Sequence, residues 1–311
     1  MKLVFCGTPH FAVPTLEALI AAGHEIPLVV TQPDRPVGRT QELAAPPAKQ
    51  TALAAGLEVT QPEKIRNNEE FRAQLEEIAP DAIIVVAYGR IIPPWMLALP
   101  RFGCINLHAS VLPKYRGAAP IQWAVAEGET VTGNTTMLLE EGLDTGPILL
   151  QDEMAIAPEK TAADLFELLA VNGAPLMVKT LEGLEAGTIM PQPQDHAQAT
   201  LAPILTRDDG RIDFRARTAR QIVDRWRGFQ PWPGAFTALN GKKLIVHRLA
   251  VSARAGDADP GAVVVDAGRM LVACAQGTWL ELDEVQLEGK KRMPAAEFLR
   301  GFQVRTGARL G

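Results

Sequence analysis

A chain of 311 residues, 47% apolar and 22% charged, can bury two domain cores and is too apolar for wholesale disorder. Its three cysteines, Cys6, Cys104 and Cys274, are scattered with no C-x-x-C spacing, which argues against a disulfide framework or a zinc site and suits a reducing compartment. The net charge of −5 divides unevenly, −10 over residues 1–207 and +5 over residues 208–311, which points either to a polyanionic partner for the second piece alone or, equally well, to chance scatter of surface charge.

Four apolar residues after Lys2 are too few for a signal segment, and no apolar run approaches a membrane span; a cytoplasmic protein is expected. Leu3 to Cys6 reads as a short buried strand ending at Gly7-Thr8-Pro9. Phe11 to Ala22 has helical spacing, with Phe11, Leu16, Leu19 and Ile20 on one stripe and Gly23 as the stop. Strands follow over Ile26 to Val30, Asp81 to Ala87 and Cys104 to Leu107, with a helical stretch near Phe71 to Ile78. Thr161 to Ala186 reads as a long helix opened by Thr161 and Asp164 and closed by Gly187. Apolar strands alternating with helices predict a doubly wound α/β domain with a parallel sheet covered on both faces, over residues 1–190. Its first turn lacks G-x-G-x-x-G, and Pro9 removes an amide that a pyrophosphate cradle needs, which disfavours a nicotinamide dehydrogenase.

Residues 191–207 are polar and proline-bearing, without periodicity, and read as a linker. Beyond it, a helical stretch from Thr218 to Arg227 leads into the forced turn Pro231-Trp232-Pro233-Gly234. Strand patterns then cover Phe236 to Leu239, Lys243 to Val251, Ala262 to Val265, Met270 to Ala275 and Trp279 to Leu282. Asn240-Gly241 marks a hairpin between the first two. About five short strands over residues 208–311 suggest a small OB-like β-barrel.

The chemistry concentrates in Asn106-Leu107-His108-Ala109-Ser110-Val111-Leu112-Pro113. An amide and an imidazole two residues apart on a strand share a face, which supplies an oxyanion donor and a proton acceptor at one spot. Some thirty residues on, Gly142-Leu143-Asp144-Thr145-Gly146 offers a carboxylate between glycines, able to steer the ring. A lone strand histidine is more often a hydrogen-bonded core residue; the three groups together, with Ser110 and Pro113, favour a site.

The Asn-x-His-x-Ser-x-x-Pro run, the L-D-T-G loop and Gly228-Phe229-Gln230-Pro231-Trp232-Pro233-Gly234 resemble the methionyl-tRNA formyltransferase family nearly from end to end. That resemblance implies a Rossmann-like formyltransferase domain before the barrel, with Asn106, His108 and Asp144 as the catalytic set. It implies that Ser110, Val111, Leu112 and Pro113 lie along the folate and that no metal is used. It implies transfer of a formyl group from 10-formyltetrahydrofolate to the amino group of initiator methionyl-tRNA, by a cytoplasmic monomer. The long proline-rich loop from Thr31 to Pro47 would meet the tRNA acceptor end, with Arg39 matching the family's arginine. Thr40-Gln41-Glu42, Asn134 and Pro147 depart from the family pattern. Lys242, Lys243, Lys290, Lys291 and Arg292 are candidate backbone contacts, although any one of them is by default a solvated surface charge. The competing readings are the same head acting on another amine such as a sugar-nucleotide, a hydrolase releasing formate, and a non-catalytic folate or RNA binder.

Overall fold

The computed structural model describes residues 1–37, 42–302 and 304–311. Two compact units emerge: Met1–Pro120 with Val131–Ala155 and Asp164–Pro203, and Ile121–Thr130 with Ile156–Ala163 and Ile204–Gly311.

In chain order the elements begin β1 (Lys2–Gly7), α1 (Val13–Ala21), β2 (Glu25–Val30), β3 (Arg35–Val37), β4 (Glu42–Ala44), α2 (Pro47–Ala54), β5 (Val59–Thr60), α3 (Glu69–Ile78) and β6 (Ala82–Val86). Then come α4 (Pro94–Leu97), β7 (Cys104–His108), α5 (Pro120–Ala126), β8 (Val131–Leu138), β9 (Ile148–Ala155) and α6 (Ala162–Glu185). The first unit is built on a seven-stranded sheet ordered β5-β2-β1-β6-β7-β8-β9. Strands β5, β2, β1, β6 and β7 run parallel, while β8 and β9 close the far edge antiparallel.

The expected parallel, doubly wound sheet is present, and the antiparallel pair is an addition that apolar patterning does not reveal. Strand β8 reads V-T-G-N-T-T-M-L, and its Thr132, Asn134, Thr135 and Thr136 are all buried. Partners make most of this polarity tolerable: Thr135 Oγ1 donates to the Ser110 carbonyl at 2.7 Å, Thr136 Oγ1 lies 2.8 Å from Thr180 Oγ1, and Asn134 Nδ2 donates to the Leu169 carbonyl at 3.1 Å.

Period two sorts the central strands into two faces. Val4, Cys6, Leu28, Val30, Ile83, Val85 and Cys104 share a core with Phe71 and Leu75 of α3 and Met96 of α4. The alternate residues turn to the opposite face, where Leu107 packs so closely on α6 that a Cβ on Gly173 would stand 2.6 Å from its Cδ2. Asn106 and His108, two and four residues beyond Cys104, therefore continue the α3–α4 face. Helix α3 starts where Asn68 caps the Phe71 amide at 3.0 Å, a bond worth about 1 kcal/mol. Cys6 and Cys104 are free and buried; burial raises the first thiol well above its ordinary range and pushes the second up to about 12, which keeps both unreactive.

The second unit continues with α7 (Ala219–Gly228), β10 (Phe236–Leu239), β11 (Lys242–Ser252), β12 (Val263–Asp266), β13 (Arg269–Ala273), β14 (Trp279–Leu287), β15 (Met293–Pro294) and α8 (Ala295–Gly301). Its antiparallel sheet runs β10-β11-β14-β13-β12, with β15 beside β14. The Asn240-Gly241 hairpin forms as expected, with φ of 50° and 75° at its two turn residues. The far edges meet through residues 307–311: Leu310 bridges Leu239 at the end of β10, and Arg309 bridges Ala262 just before β12. The tail thus curls the sheet into an OB-like barrel around Val246, Val263, Met270, Leu282 and Phe298. Helix α8 fills one side of that core, an element the sequence reading leaves out.

The segment Ile121–Thr130 clusters with this unit although it lies far upstream. Gly228 permits it, since a Cβ there would stand 2.6 Å from both Ala126 N and Gln122 O. Trp123 meets Phe229 edge-on at 5.4 Å, and the Arg225 guanidinium covers both rings.

Candidate active site

The carboxyl end of β7 delivers Asn106 and His108, and the chain turns back on itself at once. Ser110 Oγ donates to the Lys114 carbonyl at 2.7 Å, closing a tight loop. Strand β8 pins that loop: Thr135 Oγ1 donates to the Ser110 carbonyl at 2.7 Å and accepts from the Leu112 amide at 3.1 Å. Gln151 Nε2 of β9 adds a bond to the Leu112 carbonyl at 2.9 Å. The buried threonine that hides β8 from sequence patterning is thus what anchors the loop. Of the four residues expected along a folate, Ser110 and Leu112 are buried, while Val111 and Pro113 remain part-exposed.

His108 is buried, and its Nε2 lies 2.9 Å from the Tyr115 carbonyl. A carbonyl only accepts, so Nε2 carries the proton of the neutral ring and Nδ1 keeps its lone pair. Nδ1 faces Asp144 Oδ2 at 3.7 Å. That separation exceeds a direct hydrogen bond but leaves the carboxylate beside any proton that Nδ1 accepts. Asp144 Oδ2 is itself fixed by the Gly117 amide at 2.8 Å. Gly117 has φ of 126°, and a Cβ there would lie 2.6 Å from the Ala202 carbonyl oxygen, so only glycine presents its amide in this way. Asp144 adopts a left-handed φ of 49°. Gly146 lets the loop pass the Leu138 carbonyl oxygen, which a Cβ would meet at 1.9 Å. Asn106, His108 and Asp144 are therefore brought to one end of the sheet. Asn106 is half-buried.

A cleft of about 550 Å³ opens beside this end of the sheet, lined among others by Lys64, Arg66, Arg90, Ile91, Ile92 and Glu141. Its Gly89–Pro94 wall follows β6, and Glu141 precedes Asp144 by three residues. Arg90 Nε is buried with no hydrogen-bond partner among the described residues. Sequence reasoning passes over Arg90 because an arginine after Tyr88-Gly89 carries no spacing signal. Thr8 Oγ1 and Gln32 Nε2 both donate to the Tyr88 carbonyl at 3.2 Å, gathering the turns after β1, β2 and β6 at this end.

Arg39 lies outside the described residues. The base of its loop is held by Lys49 Nζ, which donates to Asp34 Oδ2 at 2.8 Å and to Gln61 Oε1 at 2.6 Å. Hydrogen bonds from Lys49 and then Gln61 hold the Asp34 carboxyl below its ordinary range. Of the five candidate backbone contacts in the second unit, Arg292 pairs with Glu284 and Lys243 Nζ sits 4.0 Å over the Phe236 ring. Lys242, Lys290 and Lys291 are exposed. Among the described residues no cluster of histidine, cysteine or carboxylate side chains has metal-binding geometry, and no helix is long and apolar enough to cross a membrane.

A family model described as formyl transferase matches residues 1–181, and one described as formyl transferase, C-terminal domain, matches residues 204–303. The chain belongs to the formyl transferase family. Among curated formyl transferases it is 71% identical to a methionyl-tRNA formyltransferase of Acidobacterium capsulatum over the full length of both chains. It is 59% identical to that of Koribacter versatilis, covering 100% of this chain and 99% of the relative. A solved N-formyltransferase from Helicobacter canadensis, bound to folinic acid and dTDP-3-aminofucose, shares the fold at 18% identity and a TM-score of 0.64, over 91% of this chain and 98% of that one. HypX from Aquifex aeolicus, in complex with tetrahydrofolic acid, shares it at 15% identity and a TM-score of 0.61, over 97% of this chain and 47% of that one.

Proposed function

We infer that this protein transfers the formyl group of 10-formyltetrahydrofolate to the amino group of initiator methionyl-tRNA, giving N-formylmethionyl-tRNA for translation initiation. The observation that carries this reading is the His108–Asp144 pair beside Asn106 at the end of β7, in a chain 71% identical over its whole length to a methionyl-tRNA formyltransferase.

The geometry supports the following roles. The amine attacks the formyl carbon, a C–N bond forms, and the carbonyl oxygen becomes an oxyanion that the Asn106 amide stabilises by donation. His108 Nδ1 takes the proton released by the new ammonium, and the fixed Asp144 carboxylate stabilises the imidazolium. When the tetrahedral adduct collapses, the bond to the folate N10 breaks and the imidazolium returns a proton to that nitrogen. Residues 110–113 flank the donor. The cleft with Lys64, Arg66 and Arg90 suits a ligand with an aromatic body and a carboxylate tail. The loop carrying Arg39 is assigned to the tRNA acceptor end, and residues 208–311 with their +5 charge to tRNA backbone. A cytoplasmic location and a monomeric state complete the proposal, as does the division into a catalytic domain (1–190), a connector (191–207) and a barrel domain (208–311).

The rival amine is an amino sugar on a nucleotide, the substrate class bound by the Helicobacter canadensis neighbour. The test offers the purified protein 10-formyltetrahydrofolate with initiator methionyl-tRNA, free methionine and a dTDP-amino sugar in parallel, and weighs the products by mass spectrometry. Formyl on methionyl-tRNA alone is the expected outcome. Formyl appearing only on the sugar, or only as free formate, overturns the reading.

A further inference from the structure

Residues 191–207 are polar and proline-bearing and read as a passive connector, yet Gln194 is the one buried residue between 191 and 198. Its carboxamide uses every hydrogen-bonding position it has. Oε1 accepts from Arg116 Nε at 3.0 Å and from Arg116 Nη2 at 2.6 Å. Nε2 donates to the Asp144 carbonyl at 2.9 Å and to the Gly146 carbonyl at 2.7 Å.

Both partners belong to the loops that hold the His108–Asp144 pair. Arg116 sits between Tyr115, whose carbonyl fixes His108 Nε2, and Gly117, whose amide fixes Asp144 Oδ2. The same strip of chain grips Arg116 by its backbone as well. The Arg116 amide donates to the Thr200 carbonyl at 2.9 Å, and the Ala202 amide donates to the Arg116 carbonyl at 2.7 Å. Asp144 occupies a left-handed conformation, uncommon outside glycine although aspartate tolerates it, and the bond from Gln194 to its carbonyl helps hold it there.

We propose that Gln194 is a positioning residue of the transfer site: its amide bolts the Arg116 loop to the Asp144 loop and so sets the Asp144 carboxylate opposite His108 Nδ1. The role is indirect, since Gln194 reaches the reacting atoms only through the main chain of Asp144. Arg116 serves as the second half of the bolt, a buried guanidinium bound to the Gln194 oxygen and, at 3.2 Å, to His196 Nδ1. This inference rests on the reading that His108 and Asp144 carry out the transfer.

Gln194→Glu separates the two halves. A carboxylate still accepts from Arg116, as a charged pair, but it donates nothing to the carbonyls of Asp144 and Gly146. The expected result is a kcat lower by roughly tenfold to a hundredfold, the range that loss of an orienting partner costs at metal sites, in a protein that still folds by circular dichroism and keeps its KM for the folate donor near wild-type. Arg116→Lys, which loosens the other half, is expected to lower kcat in the same direction by less, again without changing the donor KM. A wild-type kcat in a folded Gln194→Glu protein overturns the proposal. If that variant does not fold, Arg116→Lys decides alone, and its wild-type kcat overturns it equally. His108→Ala is assayed alongside. An inactive His108→Ala with a fully active Gln194→Glu removes the positioning role only, whereas an active His108→Ala overturns both it and the functional reading beneath it.

Discussion

His108→Ala is expected to lower kcat by roughly 10²–10⁴-fold while leaving the protein folded, because it removes the group proposed to take the ammonium proton. The direction follows from the ring's hydrogen bonding. With Nε2 committed to the Tyr115 carbonyl, Nδ1 is the ring's proton acceptor, and it opens toward Asp144 rather than into the core. Asp144→Ala is expected to fall in the same direction, since the imidazolium then forms without a neighbouring negative charge. The two losses should not add in the double variant, because the carboxylate acts through the ring. Single-turnover assays give the rates, and circular dichroism with thermal melting checks the fold. Near-normal turnover by either folded variant contradicts the assigned roles.

Asn106→Leu carries the second large effect, a fall in kcat of about 10²–10³-fold, the usual consequence of losing one oxyanion donor. Leucine is close in size, and the position is half-buried on a strand, so the change removes the donor without opening a hole. Donor affinity, read by titration calorimetry, is expected to stay near wild-type, because the bond strengthens only as charge develops on oxygen. A variant that loses donor affinity and keeps its kcat would make Asn106 a binding group instead.

Much of this site is legible in the chain because it rests on period two. Asn106 and His108 share a face by spacing alone, and Asp144 stands out by its flanking glycines, which the structure needs at Gly146 for the close passage by Leu138. The Asn240-Gly241 hairpin and the helix over Ala162–Glu185 follow from local chemistry in the same way. What stays hidden is held by buried polar groups. Thr135 makes β8 look unlike a core strand, yet it carries the hydrogen bonds that seat residues 110–112. Gln194 sits in a segment without periodicity, and its four bonds reach residues 78 and about fifty positions away, which no local pattern encodes. Ser110, read from the resemblance as a folate neighbour, also turns its hydroxyl inward to the Lys114 carbonyl and shapes the loop. Asn134, a departure from the family pattern, is fully buried with its Nδ2 on the Leu169 carbonyl, while its Oδ1 has no partner among the described residues.

A crystal structure of the protein with a non-transferring 10-formylfolate analogue tests the arrangement most directly. The expected result puts the formyl oxygen within hydrogen-bond reach of Asn106 Nδ2, about 3 Å, and the formyl carbon beside His108 Nδ1, on the Asp144 side of the ring. An analogue bound with its formyl group beyond reach of both side chains would contradict the account.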